Sequence, residues 1–338
     1  MNAHQRAAQS RPVDDASTPG HLGPLEAKWI NEMFHGTVDA VENVIRGKRS
    51  VVELVFAAII AEGHVLIEDA PGTGKTSLAT SLAQVIDGTS SRIQFTPDLL
   101  PSDVTGVSVF NQREATFEFH PGPVFANVVL ADEINRASPK TQAALLEVMQ
   151  ERQVTVDNTT HHLDSPFLVI ATQNPVEQAG TYPLPEAQLD RFLIRTAIGY
   201  PDRAATIEIL THNRTPHPPL RPIVNKKGIQ EMQRMSQRVF MDEAVAEYAV
   251  EIVEKTRSAA HVRLGASVRA AIALSRLACV WATTQGRHFV IPEDVRTLAV
   301  PVLAHRLLLD PEAEFEGLTT THVIEHIVSD IPIPTLSA

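Results

Sequence analysis

Two short stretches of this chain carry residue types at spacings that do chemistry. In Asp69-Ala70-Pro71-Gly72-Thr73-Gly74-Lys75-Thr76 the glycines allow backbone N–H groups to converge on a β-phosphate at a helix N-terminus, while Lys75 reaches β and γ oxygens. The Thr76 hydroxyl is a ligand for Mg²⁺, and Ser77 completes a nucleotide-binding run from Pro71. Asp69 stands where the general G-x-x-x-x-G-K-[ST] pattern has its first glycine, so the reading rests on residues 71–76 and their setting. Further along, Val128-Val129-Leu130-Ala131 ends in Asp132-Glu133. Here Asp132 holds Mg²⁺ through water and Glu133 polarises the water that attacks a γ-phosphate in line. A glycine turn, or a solvated acidic pair, explains either stretch alone. Their coupling points to ATP and Mg²⁺, with Thr76 and Asp132 as the metal-holding groups. The neighbours His161 and His162 do not make a second metal site, because successive strand side chains point to opposite faces.

These residues need a scaffold that presents them together. From about Leu25 to Tyr200 short apolar runs alternate with helical stretches, which predicts an α/β fold with a parallel sheet and crossover helices. Strands are expected at residues 64–68, 91–95, 128–132 and 167–171. Ser138-Pro139 supplies an N-cap and a first-turn proline for a helix that carries Leu145, Leu146 and Met149 on one face. After Tyr200, Val245, Tyr248, Ala249, Ile252, Val253 and Thr256 recur at three and four, and no strand run follows. Further helices are expected from about Ser267 and from Pro292, while Pro216, Pro218, Pro219 and Pro222 mark an extended connection. The expected division is an unstructured tail over 1–24, an α/β nucleotide-binding domain over 25–200 and an all-α domain over 201–338.

The 338 residues suffice for two domains, and their composition narrows the function classes. Lys plus Arg is 29 against Asp plus Glu 40, a net charge of −11 that argues against a protein built to grip nucleic acid backbones. Cys279 is the only cysteine, which excludes an intrachain disulfide or a thiolate cluster and fits a reducing compartment. The longest apolar run, Val51 to Ala61, is interrupted by Glu53 and is far short of the roughly 20 residues that span a bilayer. Residues 1–24 lack the apolar segment of a secretory signal, so a cytoplasmic protein without membrane insertion is expected.

The wording around these motifs resembles the MoxR family of AAA+ ATPases, in the helix-2-insert branch. The resemblance covers about Leu25 to Leu309. It rests on Glu68 to Thr76, on Ala131-Asp132-Glu133-Ile134-Asn135-Arg136-Ala137, and on Ala171-Thr172-Gln173-Asn174-Pro175-Val176-Glu177-Gln178 through Thr181 to Phe192. It implies a AAA+ P-loop domain followed by a helical lid. It also implies that Asn174 is a sensor orienting the attacking water, although by itself Asn174 reads equally as a turn residue before Pro175. Arg191 matches an arginine finger offered to a neighbouring subunit's nucleotide, against an ion pair with Asp190 or Glu186. Arg136 and Arg195 are further candidates for that trans role. In Leu264-Gly265-Ala266-Ser267-Val268-Arg269 the resemblance makes Arg269 a second sensor, with Ser267 as N-cap and Val268 where the family usually has proline. Val44-Ile45-Arg46-Gly47 matches the segment beside the adenine, which gives Ile45 and Gly47. Residues 100–122 fall where the helix-2 insert belongs, and residues 151–164 alternate and turn at Asp157-Asn158 as a pre-sensor hairpin does. Such hairpins face a central pore or pack between subunits. The implied activity is ATP hydrolysis coupled to chaperone-like remodelling, assembly or cofactor insertion, by a ring of about six subunits. The implied partners are a protein with a von Willebrand factor A domain and a protein client. A magnesium-chelatase-like motor subunit and a nucleotide-gated scaffold that hardly hydrolyses remain the alternatives.

Overall fold

The computed structural model describes residues 20–69, 72–174, 181–201, 203–212 and 220–335. Expectations that fall on most of the tail, on Ala70 and Pro71, on Pro175 to Gln178 and on Pro216, Pro218 and Pro219 lie outside the described residues.

Helices α1 (Pro24–Glu42) and α2 (Arg49–Ile60) precede strand β1 (Val65–Glu68), and α3 (Lys75–Val85) leads to β2 (Ser90–Gln94). Next come α4 (Pro101–Thr105) and the antiparallel pair β3 (Gly106–Asn111) and β4 (Thr116–Pro121), followed by β5 (Val128–Asp132) and α5 (Pro139–Glu151). A second hairpin, β6 (Gln153–Val156) with β7 (Thr159–His162), precedes β8 (Leu168–Gln173), α6 (Glu186–Leu189) and β9 (Ile194–Thr196). The main sheet has five strands in the order β2-β5-β8-β1-β9.

All four expected strands form. The apolar residues of β5 and β8 are buried throughout, because central strands of a parallel sheet are covered on both faces, whereas edge strand β2 alternates. The parallel registers pair Gln94 with Asp132 and Glu68 with Gln173, so the carboxyl ends of β2, β5, β8 and β1 finish level. In such a sheet ligands bind at that edge. The Ser138 hydroxyl accepts from Thr141 N–H as the cap of α5, with proline at the first turn. At the tip of the β6–β7 hairpin Asp157 and Asn158 take φ of 49° and 63°, the two-residue turn that matches strand twist.

Later elements are α7 (Arg203–His212), α8 (Lys226–Ser236), α9 (Glu243–Ser258), α10 (Val268–Thr284), α11 (Pro292–Leu303), α12 (Pro311–Phe315) and α13 (Thr320–Asp330). The six apolar-face positions expected on α9 are all buried. This region is not wholly helical. Val262–Leu264 (β10) pairs antiparallel with Leu308–Leu309 (β11), strands too short to leave a periodic trace in the sequence.

Contacts divide the chain into two compact units, one of Thr37–Arg191 with Thr196–Ile229, the other of residues up to Gly36 with Phe192–Arg195 and the chain from Gln230. The expected boundary at residue 200 falls inside the second stretch of the sheet-bearing unit. Ile223 and Val224 N–H both bond to the Val85 carbonyl, which ties residues 196–229 to the sheet-bearing unit. The start of α1 goes with the C-terminal helices: Glu26, nearly fully buried, pairs with Arg238 at 3.1 Å, and the His35 ring meets the Thr284 carbonyl at 2.9 Å. The end of the expected tail is likewise packed, with Leu22 only 1% exposed and its N–H bonded to the Arg238 carbonyl at 2.8 Å. A lone leucine among Gly, His and Pro carries no local pattern, so its docking is invisible without the distant strand of chain it meets.

Candidate active site

The glycines are required where the phosphate loop turns into α3. Gly72 and Gly74 have φ of 84° and 95°, which side-chain-bearing residues adopt only under strain, and Gly74 caps the helix. Space is not the reason: nothing would meet a Cβ on Gly72 within 4 Å, and on Gly74 the nearest atom is Ile45 Cδ1 at 4.0 Å. That contact places Ile45, buried beside the loop, and Gly47 turns nearby with φ 68°. Lys75 Nζ donates to the Asp69 carbonyl at 3.0 Å. Asp69 itself accepts the Gly199 N–H at 2.7 Å, so the carboxylate in the glycine position fastens the loop to the segment beyond β9.

Gly72, Gly74, Lys75, Thr76, Ser77, Asp132, Glu133 and Asn174 line one cleft of about 400 Å³, together with Arg92 and Gln94. The sequence therefore nominates most of this lining. Asn174 follows the last residue of β8 at its rim.

Arg92, Gln94 and Thr172 are the residues that sequence reasoning missed. Thr172, fully buried, accepts the Glu133 N–H at 2.9 Å and donates to Asp132 Oδ1 at 2.6 Å, joining the two acids through one hydroxyl. Asp132 Oδ2 accepts from Arg92 at 2.7 Å. Glu133 Oε2 accepts from both Gln94 and Arg136 at 2.9 Å. Glu133 is held at φ 57°, a left-handed conformation that costs about 1–3 kcal/mol and turns its carboxylate off the strand line toward the cleft. The only signal for these helpers was polar residues where an apolar strand ends, at Thr172, and on alternate positions of an edge strand, at Arg92 and Gln94.

Arg191 follows α6 and does not line the cleft, and among the described residues its guanidinium makes no ion pair with Asp190 or Glu186. Arg136 is engaged with its own Glu133, and Arg195 bonds the Thr320 hydroxyl at 3.3 Å. Arg269 is exposed on the first turn of α10, in the unit that does not carry the cleft. Ser267 occupies the N-cap position, but its side chain makes no capping bond. His161 stacks on Phe119 with ring centroids 3.9 Å apart, so the two inserted hairpins touch.

Comparison with known proteins agrees with this geometry. The profile of a family described as "ATPase family associated with various cellular activities (AAA)" matches residues 64–194, and that of the "AAA lid domain" matches residues 254–327. Chaperone MoxR1 of Mycobacterium tuberculosis is 40% identical over 97% of this chain and 90% of its own length. The YeaC protein of Bacillus subtilis, itself uncharacterised, is 50% identical over 90% of this chain and 96% of its own. A crystal structure from Cytophaga hutchinsonii, of a protein described as a candidate ATPase, superposes with a TM-score of 0.86 at 41% identity, covering 91% of this chain and 97% of that one. On these matches the chain belongs to the MoxR family of AAA+ ATPases and is an ATP-hydrolysing enzyme.

Proposed function

We propose that this ATPase is a Mg²⁺-dependent motor whose hydrolysis, completed by a neighbouring subunit, drives chaperone-like remodelling, assembly or cofactor insertion in a partner protein. The observation that carries the reading is the convergence of Lys75, Thr76, Asp132, Glu133 and Asn174 on one cleft. The N-terminus of α3, with Gly74 as its cap, would receive a phosphate, and Lys75 adds a positive charge. Thr76 and Asp132 present the hard oxygen donors that suit Mg²⁺, and the ion, when bound, would offset charge on the β and γ oxygens. Glu133 is built as a base: Gln94 and Arg136 both occupy Oε2, which leaves Oε1 to accept a proton from water. Asn174 orients that water through its amide. Pro71 belongs to the same nucleotide-binding run of the sequence, and Ile45 and Gly47 flank the adenine.

Arg191 supports the shared site, since its guanidinium makes no ion pair among the described residues and a permanently charged, multi-donor group suits a neighbour's phosphates. Arg269 reports the γ-phosphate to the lid, and the resulting motion acts on the partner. The name of the Mycobacterium relative supports the chaperone role, and the family resemblance supports a ring of about six subunits in the cytoplasm with a von Willebrand factor A domain partner. The test is phosphate release measured together with assembly mass. Turnover that requires Mg²⁺ and rises with protein concentration as subunits associate is expected; full turnover by a monomer overturns the shared site, and nucleotide binding without turnover leaves the scaffold alternative.

A further inference from the structure

The cleft contains a second cation besides Lys75. Arg92 lies on edge strand β2, two residues before Gln94, so both side chains share a face of that strand. Its Nη2 donates to Asp132 Oδ2 at 2.7 Å and to Gln94 Oε1 at 3.0 Å, and Gln94 in turn donates to Glu133 at 2.9 Å. One guanidinium thus holds the metal-binding aspartate directly and the base through an amide. The two partners differ in freedom: the Arg92 side chain is 53% exposed, whereas that of Asp132 is 13% exposed and is fixed from its other oxygen by Thr172. The arginine can leave and the aspartate cannot.

We propose that Arg92 is a built-in counter-cation of Asp132 which yields to the metal of the nucleotide, and so sets how strongly the protein prefers metal-loaded over metal-free nucleoside triphosphate. The inference rests on the reading that Asp132 serves Mg²⁺. A guanidinium and a divalent cation compete for one carboxylate, because like charges at that separation repel and the oxygen lone pairs are shared. Without nucleotide, Arg92 compensates a carboxylate that would otherwise be poorly solvated. With metal-free triphosphate, Arg92 remains as a second positive charge beside Lys75 and favours binding. With metal-loaded triphosphate, Arg92 must first be displaced, and Gln94 is released from it in the same event. Removing Arg92 therefore has opposite effects on the two forms of the ligand.

The experiment is equilibrium titration of the full chain with a fluorescent ATP analogue, in EDTA and over a series of MgCl₂ concentrations. Arg92→Ala and the bulkier neutral Arg92→Gln should each bind the analogue more weakly in EDTA and reach half-saturation at lower Mg²⁺. The preference for the metal-loaded form should widen about tenfold, the scale of one charge-assisted hydrogen bond. Arg92→Lys, which keeps the charge, should stay near the wild type in EDTA. Affinities that fall equally in both conditions, or a preference unchanged in either neutral variant, overturn the proposal, because a merely structural arginine moves both together. Wild-type and Arg92→Ala proteins that each bind equally with and without Mg²⁺ would instead remove the metal role of Asp132 on which the inference stands.

Discussion

The proposed base is defined by what is attached to its carboxylate and by what is not. Glu133 sits in a left-handed conformation directly after Asp132, and both side chains bonded to its carboxylate take the same oxygen. Glu133→Gln should keep nucleotide binding while turnover falls by at least about 10²-fold, the scale of positioned acid–base catalysis. Phosphate release at the wild-type rate would remove Glu133 as the base. Thr172 makes a second, separable demand. Its hydroxyl is fully buried between the Glu133 N–H and Asp132 Oδ1, so Thr172→Val keeps the shape but orphans a donor and an acceptor. A loss of about 1–3 kcal/mol in urea unfolding is expected, with slower turnover, and no change in either would show that the bridge is idle. The sequence disclosed Lys75, Thr76, Asp132 and Glu133 because phosphate chemistry fixes their spacing along the chain. It did not disclose Arg92, Gln94 and Thr172, because strand register, and not chain spacing, brings them to the acids.

At the scale of elements, the two inserted hairpins show how much local chemistry determines. The β6–β7 turn was legible because Asp157-Asn158 are residues that tolerate the left-handed conformations required. The base of the β3–β4 hairpin rests on something less visible, the close approach of backbone to backbone. A Cβ on Gly122 would lie 2.4 Å from the Val104 carbonyl and 2.5 Å from the Gly106 nitrogen, with no flexible side chain to give way. Gly122→Ala should therefore open the hairpin base, costing about 1–3 kcal/mol and raising amide exchange through β3 and β4. Unaltered exchange there would contradict the tight junction between α4 and the hairpin. The hairpin exposes Phe117, 71% accessible, against Phe110 with ring centroids 5.2 Å apart. The pairing β10–β11 and the docking of Leu22 were illegible for the opposite reason, since both depend on segments far apart in sequence.

At the scale of the molecule, each compact unit is assembled from stretches distant in the chain. In the unit that holds α10 and α11, His305 is buried with its Nε2 at 3.0 Å from the Phe192 carbonyl. Burial holds its pKa well below the usual imidazole range, the Arg306 and Arg195 charges add to this, and the Phe192 bond opposes it. A histidine kept neutral when folded contributes stability that is complete above its unfolded pKa of about 6.5 and is lost as pH falls below that value. Melting temperature should thus fall between about pH 6.5 and 5.5 in the wild type, and less steeply in His305→Gln; equal slopes would show that other groups carry the dependence. The assembly makes the last demand. Arg191 lies outside the cleft of its own chain and makes no ion pair among the described residues, and the proposed role as a finger for another subunit can be tested directly. Arg191→Ala and Lys75→Ala proteins should each be nearly inactive alone. Mixed and allowed to exchange subunits, they should regain turnover, because an interface joining intact Lys75 to intact Arg191 is rebuilt. A supplied arginine is worth about 10³-fold or more in related phosphoryl transfers, so a minority of repaired interfaces rises above background. Mass measurement must show mixed assemblies, and mixed assemblies without recovered turnover would return Arg191 to a role within its own subunit.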